Sequence, residues 1–403
     1  MSVSILGTGV TSFGRRPDDD LRSLSTEATD LALLDAGITA SDLDMVVFGN
    51  ATEGYLHGQE MIRSEVVLRH AGLAGVPMIN VENACASSSS AFHVACMAVS
   101  SGAAEVVLVL GAERLTHPTK RRSFDALATA VDLTEHVALA SAVGATGAPP
   151  EQDGTSHSPL MDLYAAKARS FMERSDVTAR DLAMVSVKNR FHGSLNPRAQ
   201  FRTTVELDEV LASRMISDPL QLLMCSPIGD GAAAVVVAST DLVRRRGKPD
   251  VRVAGWALTS NGADERAARP VARAMQKALS QAQVSVDDLD VAEVHDACAP
   301  AELWLYEELG LCEVGGAGDL LRSGATRLGG ALPVNVGGGL LGRGHPLGAT
   351  GCAQLVEIAD QLRGRGGARQ VEGARVGVAQ NSGGILDDLD EAVAAVTILA
   401  LEG

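Results

Sequence analysis

Cys85, His345 and His295 are the residues whose type and setting could do chemistry in this chain. Cys85 stands in Val81-Glu82-Asn83-Ala84-Cys85-Ala86-Ser87, after a β-prone apolar run and at the mouth of a stretch with helical spacing. A thiol there meets unpaired N–H groups and the positive end of the helix dipole. Both favour thiolate and predict a pKa below the free value of ~8.5. A strand–turn–helix placement also exposes a nucleophile. A free cysteine is as often a small core hydrophobe, so the segment alone leaves both readings open.

His345 lies in Gly342-Arg343-Gly344-His345-Pro346-Leu347-Gly348. Pro346 fixes the backbone beside the imidazole, which specifies where the ring points. His295 closes an apolar run in Glu293-Val294-His295-Asp296-Ala297-Cys298. A polar pair at the carboxyl end of a strand is where α/β sheets build sites, although it is equally the place of a satisfied structural histidine. Gly337 to Gly342 fits G-x-G-x-x-G, but the run continues into Arg343-Gly344-His345-Pro346 before any helix is expected, which argues against dinucleotide binding. No Walker sequence is present.

Alternating strand and helix patterns must position these residues. Leu21–Ala36 has helical spacing, Met45–Phe48, Pro77–Val81 and Ala232–Ala238 read as strands, and Glu105–Leu110 as a buried one. Continuous apolar strands between helices imply sheets covered on both faces. The chain also echoes itself. Ser41-Asp42-Leu43-Asp44 before Met45 matches Asp287-Asp288-Leu289-Asp290 before Val291. Pro77–Val81 matches Pro333–Val336, and Glu105–Leu110 matches Arg375–Ala379. An echo this long predicts two copies of one α/β unit, which places His345 opposite Cys85. Residues 117–223 interrupt the first copy, with turn-rich stretches such as Gly147–Pro150 and a predicted helix over Pro159–Arg174.

Composition bounds the rest. The 403 residues are 46% hydrophobic with 42 glycines and only 3% aromatics, so the core is built from small and aliphatic side chains. A formal charge of −16 argues against nucleic acid as the partner. Two basic groups, Lys120-Arg121-Arg122 and Lys188, Arg190, Arg198, Arg202, read either as an anion site or as ordinary solvated surface. Six cysteines without a CxxC pair, and histidines without metal-site spacing, predict neither a disulfide framework nor a metal. No run suits a membrane span, and a reducing cytoplasmic location is the expectation.

Asn83-Ala84-Cys85-Ala86-Ser87, His295-Asp296-Ala297-Cys298 and Gly344-His345-Pro346 resemble the three site motifs of the thiolase superfamily. They are most similar to those of sterol-carrier-protein-type thiolases and lipid-transfer homologues, as are Asn196–Arg202 and Leu223–Ala234. The resemblance implies a duplicated, five-layered α/β fold of two αβαβα halves. The first would comprise residues 1–116 plus 224–246 and the second 247–403, with 117–223 as an inserted loop domain. It makes Cys85 the acylated nucleophile, His345 its activator and His295 a second imidazole at the developing enolate oxygen. Backbone N–H groups of Cys85 and Gly383 would form an oxyanion hole.

Coenzyme A is then a substrate, with no bound cofactor. A homodimer and a small OB-fold acyl-CoA-binding protein are the implied partners. In one place the chain departs from the family: Asn381 stands where thiolases carry a second, proton-moving cysteine. Cys298 and Asp296 are the remaining candidates for that proton. Thiolysis of a 3-oxoacyl-CoA is the expected reaction. A retro-aldolase acting on a β-hydroxyacyl-CoA, or a non-catalytic acyl-CoA or lipid carrier, are the alternatives.

Overall fold

The apolar runs become strands of one sheet in the computed structural model, which describes residues 1–134, 158–262, 268–386 and 389–402. Among these residues the sheet has nine strands: β1 (Val3–Val10), β2 (Met45–Gly49), β3 (Met78–Val81), β4 (Val106–Arg114), β5 (Asp230–Ser239), β6 (Val251–Ser260), β7 (Val291–Glu293), β8 (Val376–Ile385) and β9 (Glu391–Leu401). Their spatial order is β3-β2-β4-β5-β1-β6-β9-β8-β7. In the first half β3, β2 and β4 run parallel, and β5 lies antiparallel between β4 and β1. The second half repeats this: β7 is parallel to β8, and β9 lies antiparallel between β8 and β6. Among the described residues the halves join edge to edge only at Ser4–Arg252 and Ile5–Val251.

The echo in the sequence has a physical counterpart. One carboxylate oxygen of Asp44 accepts the N–H groups of Glu105 and Val106 at 2.8 and 2.9 Å. Asp290 does the same for Arg375 and Val376 at 2.7 and 2.9 Å. Each aspartate pins the start of the strand that follows it in the sheet, so the two copies share a hydrogen-bond device as well as a strand order.

Helices α1 (Leu21–Ala36) and α6 (Pro270–Ala282) cover the outer faces of the two halves. Helices α2 (Ser87–Ser101) and α9 (Leu347–Leu362) lie between them. There Phe92, Val99, Leu355 and Ile358 pack with Val107, Val235 and Val253. Each such side chain contributes roughly 1.5–3 kcal/mol on burial. Gly102 and Gly37 end α2 and α1 in the left-handed conformation, with φ of 79° and 69°. Helix α2 is not sheathed on every side: Met97 is exposed.

The middle of the chain folds into α3 (Lys120–Leu127), α4 (Leu160–Glu173) and α5 (Ala179–Ser194), with a small hairpin of Met215–Ser217 and Leu220–Gln221. The turn-rich Gly147–Pro150 lies outside the described residues. Then α7 (Ala299–Glu308) and α8 (Gly339–Arg343) complete the second half.

Three expectations change. The strand over Pro333–Val336 shrinks to a single bridge, Ala292 to Val334, because Asn335 is left-handed with φ 59°. Its side chain takes the strand's place, accepting the Val294 N–H at 2.9 Å and donating to Glu302 at 2.7 Å. A short helix, α8, does begin inside the glycine run, since Asp296 accepts the N–H groups of Leu340 and Leu341. Nor do Lys188 and Arg190 form a surface patch. Lys188 is buried against Glu302 at 2.8 Å, and Arg190 stacks on Phe201. Among the described residues no helix is long and apolar enough to cross a membrane.

Candidate active site

Cys85 sits on a 3₁₀ turn, Ala84–Ala86, between β3 and α2. The turn is sharp: Ala84 has φ 48°, a conformation that costs a non-glycine residue roughly 1 kcal/mol and is held here by its surroundings. The Ser87 hydroxyl accepts the Asn83 N–H at 3.0 Å and donates to the Ala84 carbonyl at 2.6 Å. Asn83 donates to Ser90 at 2.8 Å. Polar side chains of the first helical turn thus fasten the elbow that presents the thiol. The thiol itself lies among Leu56, Leu115, Ala126 and Leu347.

His345 follows α8 in the second half, and His295 follows β7. The thiol of Cys85 and a ring nitrogen of each histidine all lie within 4.8 Å of one another. The two imidazoles meet edge to face, with centroids 5.2 Å apart. His345 Nδ1 is 2.8 Å from the Thr350 hydroxyl, which itself donates to the Pro346 carbonyl at 3.0 Å. A hydroxyl already committed as donor accepts from Nδ1–H, which leaves Nε2 unprotonated as the basic face. His295 Nε2 is buried and has no hydrogen-bond partner among the described residues. A thiol and two imidazoles this close would also suit a zinc-type ion.

Burial sets the protonation states. It pushes the Cys85 thiol up to about 12, assisted by the Glu113 charge. It pulls His295 down to about 4 and His345 well below its ordinary range, the latter also through its neighbour His295. The thiolate expected from the helix end is therefore overturned: desolvation among leucines outweighs the dipole. At rest the three groups are a neutral thiol and two neutral imidazoles. Alkylation of Cys85 by iodoacetamide should then rise about tenfold per pH unit from pH 7 past pH 9, since the thiolate fraction grows until the pKa is reached. A plateau near pH 7–8, read by peptide mass spectrometry, would restore the thiolate.

Other predicted residues are placed differently. Gly383 presses on the Cys85 turn: a Cβ there would lie 2.1 Å from the Asn83 carbonyl and 2.9 Å from the Ala86 nitrogen, so only glycine fits. Asn381 is buried, accepts from Ser89 at 3.1 Å and has an Nδ2 without a partner among the described residues. Asp296 and Cys298 do not join the group of three. The Asp296 carboxylate is occupied by Asn189 and the start of α8, where a Cβ on Gly339 would approach it to 2.3 Å. Cys298 is wholly buried at the head of α7.

One residue that sequence reasoning missed ties the site together. Glu113, at the end of β4, accepts the Asn50 amide, the N–H groups of Ala51 and Thr52, the Thr52 hydroxyl and the Gly348 N–H, all at 2.7–3.1 Å. Burial pushes its carboxyl up, yet five donors aimed at it suit only the ionised form. Gly348 lies three residues beyond His345, so Glu113 of the first half fastens the histidine loop of the second. The signal was present: a carboxylate closing Val-Leu-Val-Leu-Gly-Ala marks a strand end of the kind that builds sites. Thr350 had none.

Two family models match the chain. "Thiolase, N-terminal domain" covers residues 3–241 and "Thiolase C-terminal domain-like" covers 253–398. The chain is 39% identical over 388 residues to an acetyl-CoA acetyltransferase of Methanothermobacter thermautotrophicus, covering 95% of this chain and 96% of the other. It is 35% identical to human sterol carrier protein 2, over 94% of this chain and 70% of that one. In fold it is similar to a solved Ltp2-ChsH2(DUF35) aldolase, with a TM-score of 0.77, 24% identity and coverage of 99% and 98%.

Proposed function

The chain belongs to the thiolase family, and from that premise we propose that it is an acyl-CoA acyltransferase that carries the acyl group on Cys85. The observation that carries this reading is the convergence of one thiol and two imidazoles from both halves on the elbow before α2. His345 Nε2 takes the thiol proton as sulfur attacks the 3-keto carbonyl. The C2–C3 bond breaks, acetyl-CoA leaves as its enolate and takes that proton on carbon, and a second coenzyme A then lifts the acyl group from sulfur. The neutral starting pair makes proton transfer part of the attack. His295 donates to the oxygen of the enolate, and the Cys85 and Gly383 backbone N–H groups serve the acyl oxyanion. Thiolysis of a 3-oxoacyl-CoA follows as the reaction.

The apolar lining of Cys85 suits an aliphatic acyl group. Helix α3 contributes Ala126 to that lining and holds the exposed Lys120-Arg121-Arg122 run at its other end, which suits the phosphates of coenzyme A. The division into residues 1–116 with 224–246, 117–223 and 247–403 is part of the same reading, as is a small OB-fold acyl-CoA-binding partner. A homodimer fits the exposed edge of β3, where Ile79 faces solvent.

Incubation with a series of acyl-CoAs tests the proposal by mass. The expected result is one acyl addition on the Cys85 peptide, released by free coenzyme A. Absence of any addition across the series would sink the transferase reading.

Asn381 favours a second reading. Its amide cannot move a proton, so a retro-aldol cleavage of a β-hydroxyacyl-CoA needs less of this site than thiolysis does. An aldehyde or ketone among the cleavage products, without acylation, would select it. Acyl-CoA binding without either product would leave only carriage.

A further inference from the structure

We propose that Cys225 and Cys298 are a redox-sensitive pair, closed by peroxide-class oxidants into a disulfide that ties the segment leading into β5 to the strand end bearing His295. The two residues face each other as an isolated antiparallel bridge. The Ser226 N–H donates to the Ala297 carbonyl at 3.0 Å, so the ladder bonds flank the pair and do not join it. Such a non-hydrogen-bonded pair has Cα atoms about 4.5 Å apart and its side chains at their closest. Disulfides span Cα separations of about 4.4–6.8 Å.

Both residues are extended, with φ/ψ of −112°/141° at Cys225 and −143°/160° at Cys298. Their Cβ atoms therefore stand on the same side of the ladder. Both thiols are free, and among the described residues only a weak hydrogen bond holds either: Cys225 Sγ donates to the Gln221 carbonyl at 3.5 Å. Closing the bond needs side-chain rotation and no movement of the backbone.

Access gives the order of events. Cys225 is partly exposed and Cys298 is buried, so peroxide meets Cys225 first. Its sulfur attacks one peroxide oxygen, forming a sulfenic acid and releasing water. The Cys298 sulfur then attacks the sulfenic sulfur, forming the S–S bond and releasing a second water. Two thiols lose two electrons, and one peroxide becomes two waters.

Burial holds Cys225 up near 12 and Cys298 well above the ordinary thiol range, so thiolate is scarce and closure is slow. The pair answers sustained oxidant rather than a brief pulse. Because Cys298 heads α7 three residues after His295, the linked form fixes one wall of the site. None of this rests on the acyl-transfer reading.

The test treats the full chain with hydrogen peroxide, denatures it in iodoacetamide and maps the peptides without reduction. The expected product joins the Cys225 and Cys298 peptides, lacks two hydrogens and is reversed by dithiothreitol. Cys225→Ser should abolish it and return Cys298 as the alkylated thiol. The map of the unsubstituted chain decides the matter even if that variant folds poorly. Recovery of Cys225 as sulfinic or sulfonic acid beside an alkylated Cys298, or of both as alkylated thiols at doses that consume Cys85, would overturn the proposal.

Discussion

Cys85→Ala lowers acyl transfer by at least about a thousandfold and abolishes mass addition from acyl-CoA, while the chain stays folded. The size follows from the role. Without sulfur there is no acyl carrier, and neither imidazole nor any backbone donor can take its place. Removing one sulfur from an otherwise apolar setting costs only about 1 kcal/mol of stability, so lost activity cannot be blamed on unfolding. Comparison of kcat with the urea midpoint separates the two effects. Activity within tenfold of the parent would remove Cys85 from the chemistry and promote the retro-aldol reading. His345 and His295 would then have to act without it.

Glu113→Gln has the second-largest expected effect, and it falls on both stability and turnover. The carboxylate accepts five donors, and an amide places its own N–H against some of them. At least one buried N–H is left without a partner, at a cost of roughly 3 kcal/mol. Two loops then loosen together, Asn50–Thr52 and the one holding Gly348, and with the second goes His345. The expected result is a lower urea midpoint and about tenfold lower kcat, with the acylation stoichiometry of Cys85 retained. An unchanged midpoint would mean that the five contacts are dispensable. An unchanged kcat with a lowered midpoint would confine Glu113 to holding the fold.

The elements were legible because they rest on local patterns. Leu21–Ala36 is the helix its spacing predicts, and the buried strands fall within a few residues of their apolar runs. The duplication was legible through Asp44 and Asp290, which repeat because each must pin a strand start. The convergence of Cys85, His345 and His295 was legible for a related reason: the echo sets the Cys85 turn opposite the His345 loop, and His295 lies at the end of β7.

What the sequence concealed depends on long-range burial. A helix end argues for thiolate at Cys85, and only the folded chain reveals the leucines that reverse this. Lys188 and Arg190 read as surface because their partners, Glu302 and Phe201, are distant or unremarkable in sequence. Asn335 looked like strand because nothing local announces that its side chain replaces the ladder. Cys298 looked like a stand-in for the proton-moving cysteine, and its true neighbour, Cys225, lies on another segment.

The strand order also governs how the chain is made. Strand β1 pairs with β5 through contacts such as Val3–Ser239, and all eight of its residues are buried. A ribosome must therefore release about 240 residues before this first apolar strand finds its partner. At roughly 5–20 residues per second that takes about 10–50 s. Throughout that interval the N-terminus is an unpaired, sticky edge, and the middle segment is what lengthens the wait. The long segment between β4 and β5 thus makes nascent copies of this protein dependent on being kept apart until β5 emerges.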